Sequence, residues 1–450
     1  MNQIKDLITK YDKPVPRYTS YPAMPHWQTG QFSVADWKEQ VVSGFHTAGE
    51  EGISLYIHLP YCESLCTYCG CNTRITVNHE VELPYIECLL KEWQLYIDLL
   101  GRKPLIREIH LGGGTPTFFA PENLQYLVKS LLDQAEEHPD HCFSFEGHPR
   151  NTTYAHLKAL SEVGFTRVSY GVQDFDLNVQ RAINRIQTYE QVEQVTRWSR
   201  QLGYDSVNFD LIYGLPFQTL ASVRDTMEKV ARLMPDRIAF YSYAHVPWFK
   251  PGQRAYSETD LPKGDKKRQL NEAGREELLS LGYADIGMDH FALPTDSLFL
   301  SMKLGKLHRN FMGYTEQNSQ FLIGLGASAI SDSSLGYAQN AKVVEQYIEQ
   351  VNAGAFPVFI GHSMSRQQQE TRELVQDIIC NRWITFKQVD NLPEERFTVF
   401  QEMLEEGLLT REWNDYRVST LGTQFLRNIC AIFDPIFEAE GKKKVFSQSV

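Results

Sequence analysis

The residues with the most chemistry per unit length lie in Cys62-Glu63-Ser64-Leu65-Cys66-Thr67-Tyr68-Cys69-Gly70-Cys71. Cys62, Cys66 and Cys69 are spaced C-x3-C-x2-C, so one loop can wrap them around a single inorganic centre. Thiolates are the ligands that hold iron–sulfur clusters, and a 4Fe–4S cube normally takes four of them. If the loop supplies only three, one iron stays open to a ligand that is not protein, as a catalytic zinc keeps one position vacant. A closed zinc site made from all four cysteines is the alternative. Against it, such sites usually draw on two separated pairs, whereas Cys71 stands two residues after Cys69. A disulfide fits less well still, because Met1-Asn2-Gln3-Ile4-Lys5-Asp6 carries no apolar stretch of the kind that marks a secretory signal.

A metal loop needs elements to hold it. From about 50 to 292 strand-like and helix-like runs alternate. The strands are expected over 53–59, 106–111, 142–146, 167–172, 206–212 and 237–243, and helices with 3.6-residue periodicity over 123–136, 153–163, 189–202 and 222–233. Gly164 and Gly203 fall where helix C-caps belong. Repeated strand–helix units imply parallel strands with right-handed crossovers, hence an α/β sheet or barrel. In such folds ligands bind at the carboxyl ends of the strands. The first expected strand runs into the cysteine loop, the second into Gly112-Gly113-Gly114-Thr115-Pro116, and the third into Glu146-Gly147-His148-Pro149. The fourth ends at Gly171-Val172-Gln173-Asp174, the fifth near Asp210 and Gly214-Leu215-Pro216, and the sixth at Tyr243-Ala244-His245. The chemically loaded segments therefore share one rim. In the first strand, Leu55, Ile57 and Leu59 alternate with Tyr56 and His58, which are either a satisfied interior pair or groups facing the site. The triple glycine lets backbone approach a ligand closely, or simply turns the chain; it lacks the Gly-Lys-Ser/Thr of a phosphate loop.

The cysteine spacing with Tyr68 directly before the third cysteine resembles the radical S-adenosylmethionine (SAM) enzymes. The longer run Tyr56-Ile57-His58-Leu59-Pro60-Tyr61-Cys62 through Cys71-Asn72 resembles the oxygen-independent coproporphyrinogen III dehydrogenase family of anaerobic haem biosynthesis. The likeness extends from Arg17-Tyr18-Thr19-Ser20-Tyr21-Pro22 to Arg427-Asn428-Ile429-Cys430. Cys71 sets the chain apart from haem-chaperone relatives, which usually lack it; haem trafficking or haem modification on the same scaffold is the competing function.

The resemblance implies an open, partial (βα)6 barrel. It implies that Cys62, Cys66 and Cys69 hold a 4Fe–4S cluster whose fourth iron chelates the amino and carboxylate groups of SAM, and that two SAM molecules share the site. By the same match Tyr56, Tyr68, Gly113 and Glu146 contact the first, and Gly114, Thr115, Gln173, Arg185, Asp210, Ala244 and Ile330 the second. Tyr56, Cys71, Glu146, Phe311 and Ile330 are the implied catalytic residues. The implied reaction begins with an electron from a reduced flavodoxin or ferredoxin and cleavage of SAM to methionine and a 5′-deoxyadenosyl radical. The radical takes a hydrogen atom from the β-carbon of a propionate, and loss of CO2 and an electron leaves a vinyl group. Two rounds convert coproporphyrinogen III to protoporphyrinogen IX. The sequence departs from the family at Gly147-His148-Pro149, where many members have Val-Asp-Pro, and at Met312, where many have Gln.

Four segments complete the expectation. Residues 1–35 carry Lys13-Pro14-Val15-Pro16 and Tyr21-Pro22-Ala23-Met24-Pro25 and read as an extended arm over the next domain, since proline at this density opposes helix and strand alike. The barrel occupies 36–292, with a Pro/Gly-rich loop at 245–265 bordering the pocket, a helix over 267–279 and a strand over 283–291. The resemblance implies that a connection over 293–362 brings the segments 307–315 and 324–330 towards the site, where the residues alone allow an ordinary loop and a glycine-rich turn. Residues 363–450 read as mainly helical with a winged-helix outline, helix over 394–407, hairpin over 408–418 and helix over 420–433, ending in a solvated Lys442-Lys443-Lys444 tail.

Composition narrows the partners. The net charge of −12, from 44 basic and 56 acidic residues, speaks against a nucleic-acid partner, and acidic residues outnumber basic ones in the winged segment too. Mean hydropathy is −0.36 and no run is long enough for a membrane span. Cys88, Cys142, Cys380 and Cys430 read as buried thiols in a reducing, cytoplasmic compartment, and a monomer is expected.

Overall fold

The computed structural model describes residues 2–439 apart from 28, 29, 31 and 318, so the lysine tail lies outside the described residues. Six parallel strands lie side by side in chain order: β1 Ile53–Leu59, β2 Leu105–Gly113, β3 Glu136–Gly147, β4 Phe165–Gln173, β5 Ser206–Tyr213 and β6 Arg237–Ser242. β1 is buried along its length save for partly exposed Tyr56, as expected of a parallel strand covered on both faces. The helices that cover them begin on capping boxes at Thr153, Thr188 and Thr219, each hydroxyl accepting from the backbone three residues on. Glu82–Leu100, the longest helix at 19 residues, joins β1 to β2 and ends on left-handed Gly101.

The sheet does not close. Leu322–Leu325 adds parallel to the other side of β1, with Ser54 opposite Leu322, and 330–332, 336–340 and 358–363 continue it antiparallel. At the far edge His290–Ala292 pairs antiparallel with β6, and Ala284–Gly287 pairs with it in turn. The result is one twelve-stranded open sheet whose parallel centre forms the partial barrel.

Three expectations are corrected. The helix expected over 123–136 is Pro121–Leu132, because β3 begins at Glu136 to pair with Leu105, and its polar Glu136-Glu137-His138 start hid it from a hydrophobic pattern. The strand expected over 283–291 is a hairpin turning at Met288 and Asp289, both at positive φ (45° and 73°). The N-terminal arm is not extended throughout: Asn2–Tyr11 is a helix, since Ile4, Leu7, Ile8 and Tyr11 fall on one face before the first proline. Nor does it lie mainly on the barrel. Leu7, Tyr11, Val15, Tyr18 and Tyr21 join the core of the C-terminal segment, the Tyr18 and Tyr21 hydroxyls both donate to Asp434, and Lys10 pairs with Glu402 and Glu406.

The C-terminal segment is mainly helical, with helix Glu394–Glu405, hairpin Leu409–Glu412 and Asp415–Val418, and helix Leu426–Ile432. Trp383–Ile384 adds a third strand to that hairpin. Cys88, Cys142, Cys380 and Cys430 are buried free thiols.

One buried carboxylate ties the first long helix to the far side of the sheet. Glu92 is fully buried and accepts hydrogen bonds from the Gly326 N–H (2.8 Å), Asn340 Nδ2 (2.7 Å) and the Tyr347 hydroxyl (2.6 Å). Burial pushes its pKa from 4.5 up to about 7 against those bonds. The folded chain therefore keeps a proton there that the unfolded chain releases, and stability falls as pH rises from 4.5 to about 7. Urea unfolding across this window should show Glu92→Gln gaining on the wild type as pH rises, by about 3 kcal/mol in total.

Candidate active site

The cysteine loop follows β1 and is almost without regular structure of its own. Neighbouring segments hold it. The Thr67 N–H donates to Ile183 O (3.0 Å) and its hydroxyl to Ala182 O (2.9 Å), and Asn184 Nδ2 reaches Leu65 O (2.8 Å). Gln253 Nε2 donates to Tyr68 O and Lys250 Nζ to Cys71 O, so the 245–265 loop braces the cysteine loop, although none of its residues lines the cavity. From beneath, His58 Nε2 donates to Asn72 O at 2.9 Å while its Nδ1 accepts from the Tyr56 hydroxyl at 3.1 Å. The Tyr56–His58 pair is thus a satisfied interior pair that also props the loop.

Cys62, Cys66, Cys69 and Cys71 all open on one cavity of about 460 Å³, lined also by Tyr68, Gly113, Gly114, Thr115, Glu146, Gln173, Arg185 and Asp210. That is within the usual range for small-molecule sites. Twelve of the residues singled out in the sequence therefore meet in one place. Tyr56 stands one layer behind, stacked on His110 with ring centroids 6.0 Å apart. Ala244 lies on the neighbouring loop, its carbonyl accepting from Gln253. Phe311 and Ile330 lie elsewhere, packed with Trp27 and Tyr337; Phe311 meets Tyr337 edge-on at 5.5 Å.

Gly113 and Gly114 line the cavity, and each also sits where a side chain would collide with the protein itself. A Cβ on Gly113, whose φ is 113°, would fall 2.7 Å from His58 Nδ1, and one on Gly114 would fall 2.6 Å from the Pro60 carbonyl. The space is taken by the protein's own strand end, against which the loop is bonded through Gly114 N–H to Leu59 O and Thr115 N–H to Tyr61 O. Gly147 follows the same rule: a side chain there would meet Thr152 and Tyr170 at 3.0 Å, which gives the first family departure a packing reason. Met312 sits in the two-residue turn between His308–Asn310 and Gly313–Thr315, its N–H accepted by Asn310 Oδ1.

The polar groups are arranged to receive a charged ligand. Arg185 donates twice to Gly171 O and lies 3.6 Å from Cys66 Sγ, so it is a fixture of the site and not a surface ion pair. The Asp210 carboxylate accepts from Ser169 Oγ and Asn208 Nδ2, both at 2.9 Å, and burial pushes its pKa up to about 6. Glu146 accepts from the Gly113 N–H at 3.3 Å and faces His110 Nε2 at 3.5 Å. A hydrogen bond from Cys71 lowers the Cys69 thiol to about 6, while burial raises Cys62 to about 11. Burial and the neighbouring Arg185 hold His148 neutral, its pKa at about 2. The Gln173 amide oxygen is buried without a partner among the described residues. Four thiols, a guanidinium, two carboxylates and an orphaned amide on one cavity fit an iron–sulfur centre with an amino-acid-bearing nucleoside beside it.

His110, Lys250, Gln253 and Tyr241 escaped the sequence reading. His110 alternates with Ile109 and Leu111 on β2 as Tyr56 does on β1, and that pattern could have found it. Lys250 and Gln253 lie in an irregular loop with no spacing signal.

An open parallel barrel with three cysteines in the loop after its first strand defines a radical SAM protein, and residues 56–230 match the Radical SAM superfamily. The cofactors of that class are a 4Fe–4S cluster and SAM. Oxygen-independent coproporphyrinogen III oxidases from Synechocystis and Escherichia coli are each 34% identical to this chain over 99% of its length and 97% and 98% of theirs. The one from Pseudomonas aeruginosa is 35% identical over 95% of both. The structure of the Escherichia coli coproporphyrinogen III oxidase, described as a radical SAM enzyme, superposes with a TM-score of 0.86 over 94% of this chain and 100% of that one. The chain belongs to the oxygen-independent coproporphyrinogen III oxidase family.

The Gly113–His58 contact makes a prediction. Gly113→Ala forces a Cβ against the ring that props the loop, at a φ only glycine favours, and should destabilise the fold by about 1–3 kcal/mol in urea unfolding. Iron retained per chain after anaerobic reconstitution and desalting should fall with it.

Proposed function

We propose that this chain decarboxylates two propionates of coproporphyrinogen III oxidatively to vinyl groups, giving protoporphyrinogen IX in oxygen-independent haem biosynthesis. The observation that carries the proposal is the three-cysteine loop opening on a polar cavity, in a chain matched end to end by coproporphyrinogen III oxidases. No helix among the described residues is long and apolar enough to cross a membrane, in keeping with a diffusible substrate and a cytoplasmic site of action.

In this reading Cys62, Cys66 and Cys69 would hold the 4Fe–4S cluster beside SAM. When bound, the two would supply the hydrogen-abstracting radical chemistry. The rest is positioning by the chain. Tyr56, Tyr68, Gly113 and Glu146 hold the first SAM. Gly114, Thr115, Gln173, Arg185, Asp210, Ala244 and Ile330 hold a second. Arg185, fixed on Gly171 O, presents its charge to a carboxylate, and Asp210 accepts from ribose hydroxyls. Cys71, beside the cluster ligands, completes the catalytic group with Tyr56 and Glu146. Phe311 and Ile330, on the Trp27–Tyr337 side, form the wall towards the porphyrinogen. A reduced flavodoxin or ferredoxin supplies electrons to a monomeric enzyme.

Anaerobic incubation of reconstituted protein with SAM, dithionite and coproporphyrinogen III should yield protoporphyrinogen IX, with methionine and 5′-deoxyadenosine formed alongside. Cys66→Ser should abolish SAM cleavage and decarboxylation together. Turnover by that variant would remove the cluster role, and SAM cleavage with no loss of CO2 from coproporphyrinogen would remove the substrate assignment.

A further inference from the structure

His148 stands just past the end of β3, where many family members carry Asp, and it lines the cofactor cavity. The chain around it is tied down. The His148 N–H donates to Thr117 Oγ1 (3.4 Å), and the His148 carbonyl accepts from the Asn151 N–H, the Thr152 N–H and the Thr152 hydroxyl, each at 2.9 Å. Pro149 favours an extended backbone at the residue before it, so the alternation of the strand carries on past its end. Glu146 and His148, two residues apart, accordingly both line the cavity.

The imidazole closes its own turn. His148 Nδ1 accepts the Arg150 N–H at 3.2 Å. An aspartate makes the same bond to the backbone two residues on, so histidine keeps the turn that Asp would make. The two side chains differ at their other end. A ring nitrogen that accepts from a backbone N–H carries no proton, so the proton of the neutral ring is on Nε2. Burial, with Arg185 and Arg150 nearby, holds the ring in that neutral form, its pKa at about 2. Nε2 makes no hydrogen bond among the described residues. The cavity wall therefore shows a fixed, uncharged donor where a carboxylate would show an acceptor.

That exchange selects a ligand group. The ammonium and the exocyclic amine of SAM only donate, and its carboxylate and ring nitrogens only accept. A ribose hydroxyl does both. It can meet an acceptor in the relatives and a donor here with the cofactor in one pose. Its own proton then needs an acceptor, and Glu146 is at hand. The Glu146 side chain is 45% exposed; Oε2 takes the Gly113 N–H at 3.3 Å and Oε1 faces His110 Nε2 at 3.5 Å, which leaves lone pairs for a ligand.

Resting on the SAM role proposed for Glu146, we infer that His148 and Glu146 grip one ribose hydroxyl of that SAM from two sides, His148 Nε2–H donating to its oxygen and the Glu146 carboxylate accepting its hydrogen. His148 is then a cofactor-binding residue peculiar to chains with this substitution. The change from Asp reverses the direction of one hydrogen bond and keeps both the turn and the contact.

Equilibrium dialysis of SAM, 2′-deoxy-SAM and 3′-deoxy-SAM against the anaerobic, cluster-loaded enzyme tests this. The wild type should bind one of the two deoxy compounds, the one without the gripped hydroxyl, about tenfold more weakly than SAM. His148→Ala should weaken SAM about tenfold and leave that deoxy compound within about twofold of its wild-type affinity. His148→Asp, which keeps the turn and offers the hydroxyl an acceptor, should restore SAM binding to within about threefold of wild type; a loss as large as that of His148→Ala would overturn the hydroxyl as the partner. Equal loss of SAM and both deoxy compounds in His148→Ala would assign the ring to the turn alone and overturn the grip. So would wild-type binding of both deoxy compounds within about twofold of SAM, a result that needs no variant to fold. None of these outcomes bears on the porphyrinogen reading, which stands on decarboxylation. A holoenzyme that binds no SAM would overturn the role of Glu146 and the grip together.

Discussion

A loop of ten residues in which only Cys62 belongs to a strand, the two-residue Tyr61–Cys62, cannot hold three thiols in register by itself. Backbone groups left to water would let the sulfurs wander, and ordering them costs about 1–2 kcal/mol per residue. The protein meets this cost by bonding the loop to its surroundings on every side. The turn at Ala182-Ile183-Asn184 takes Thr67 and Leu65, the 245–265 loop takes Tyr68 and Cys71, and His58 takes Asn72. The rest of the architecture can be understood as what is needed to bring those partners within reach. Only the rim of a parallel sheet gathers the ends of six consecutive strands around one point.

That same demand explains the glycines. Gly113 and Gly114 let the end of β2 lie flat against the end of β1, with His58 and the Pro60 carbonyl filling the places of the missing side chains. Cys62 Sγ is then 3.2 Å from the Thr115 hydroxyl, so the first thiol is oriented by the neighbouring strand end. The close approach of two backbones therefore adds to the positive φ of Gly113 as a reason for glycine at this strand end.

Much of this was legible from residue order alone, for a physical reason. Strands buried on both faces are written as apolar runs, and capping threonines and C-terminal glycines mark the helices between them, so β1, β4, β5 and β6 and the rim they share could be read directly. The metal loop was legible because thiolate chemistry tolerates few spacings. What escaped depended on distant partners. The polar start of β3 is a strand only because Leu105 lies beside it, and Met288-Asp289 turns because β6 needs an antiparallel neighbour. Density of proline misled at the arm: Asn2–Tyr11 precedes the first proline, and its apolar face is answered by a domain about 400 residues away. Phe311 and Ile330, named through family likeness, share a cluster with Trp27 apart from the cavity lining, a placement no local pattern encodes.

The junction of Tyr18 and Tyr21 with Asp434 has a consequence for how the molecule is made. A nascent chain leaves the ribosome from its amino end, and domains fold as they emerge. All strands of the large sheet are out once residue 363 has been synthesised, yet the arm has no seat until the helix Leu426–Ile432 and Asp434 follow. During that interval Leu7, Tyr11, Val15, Tyr18 and Tyr21 have no core to enter, so the first residues made are among the last to be buried.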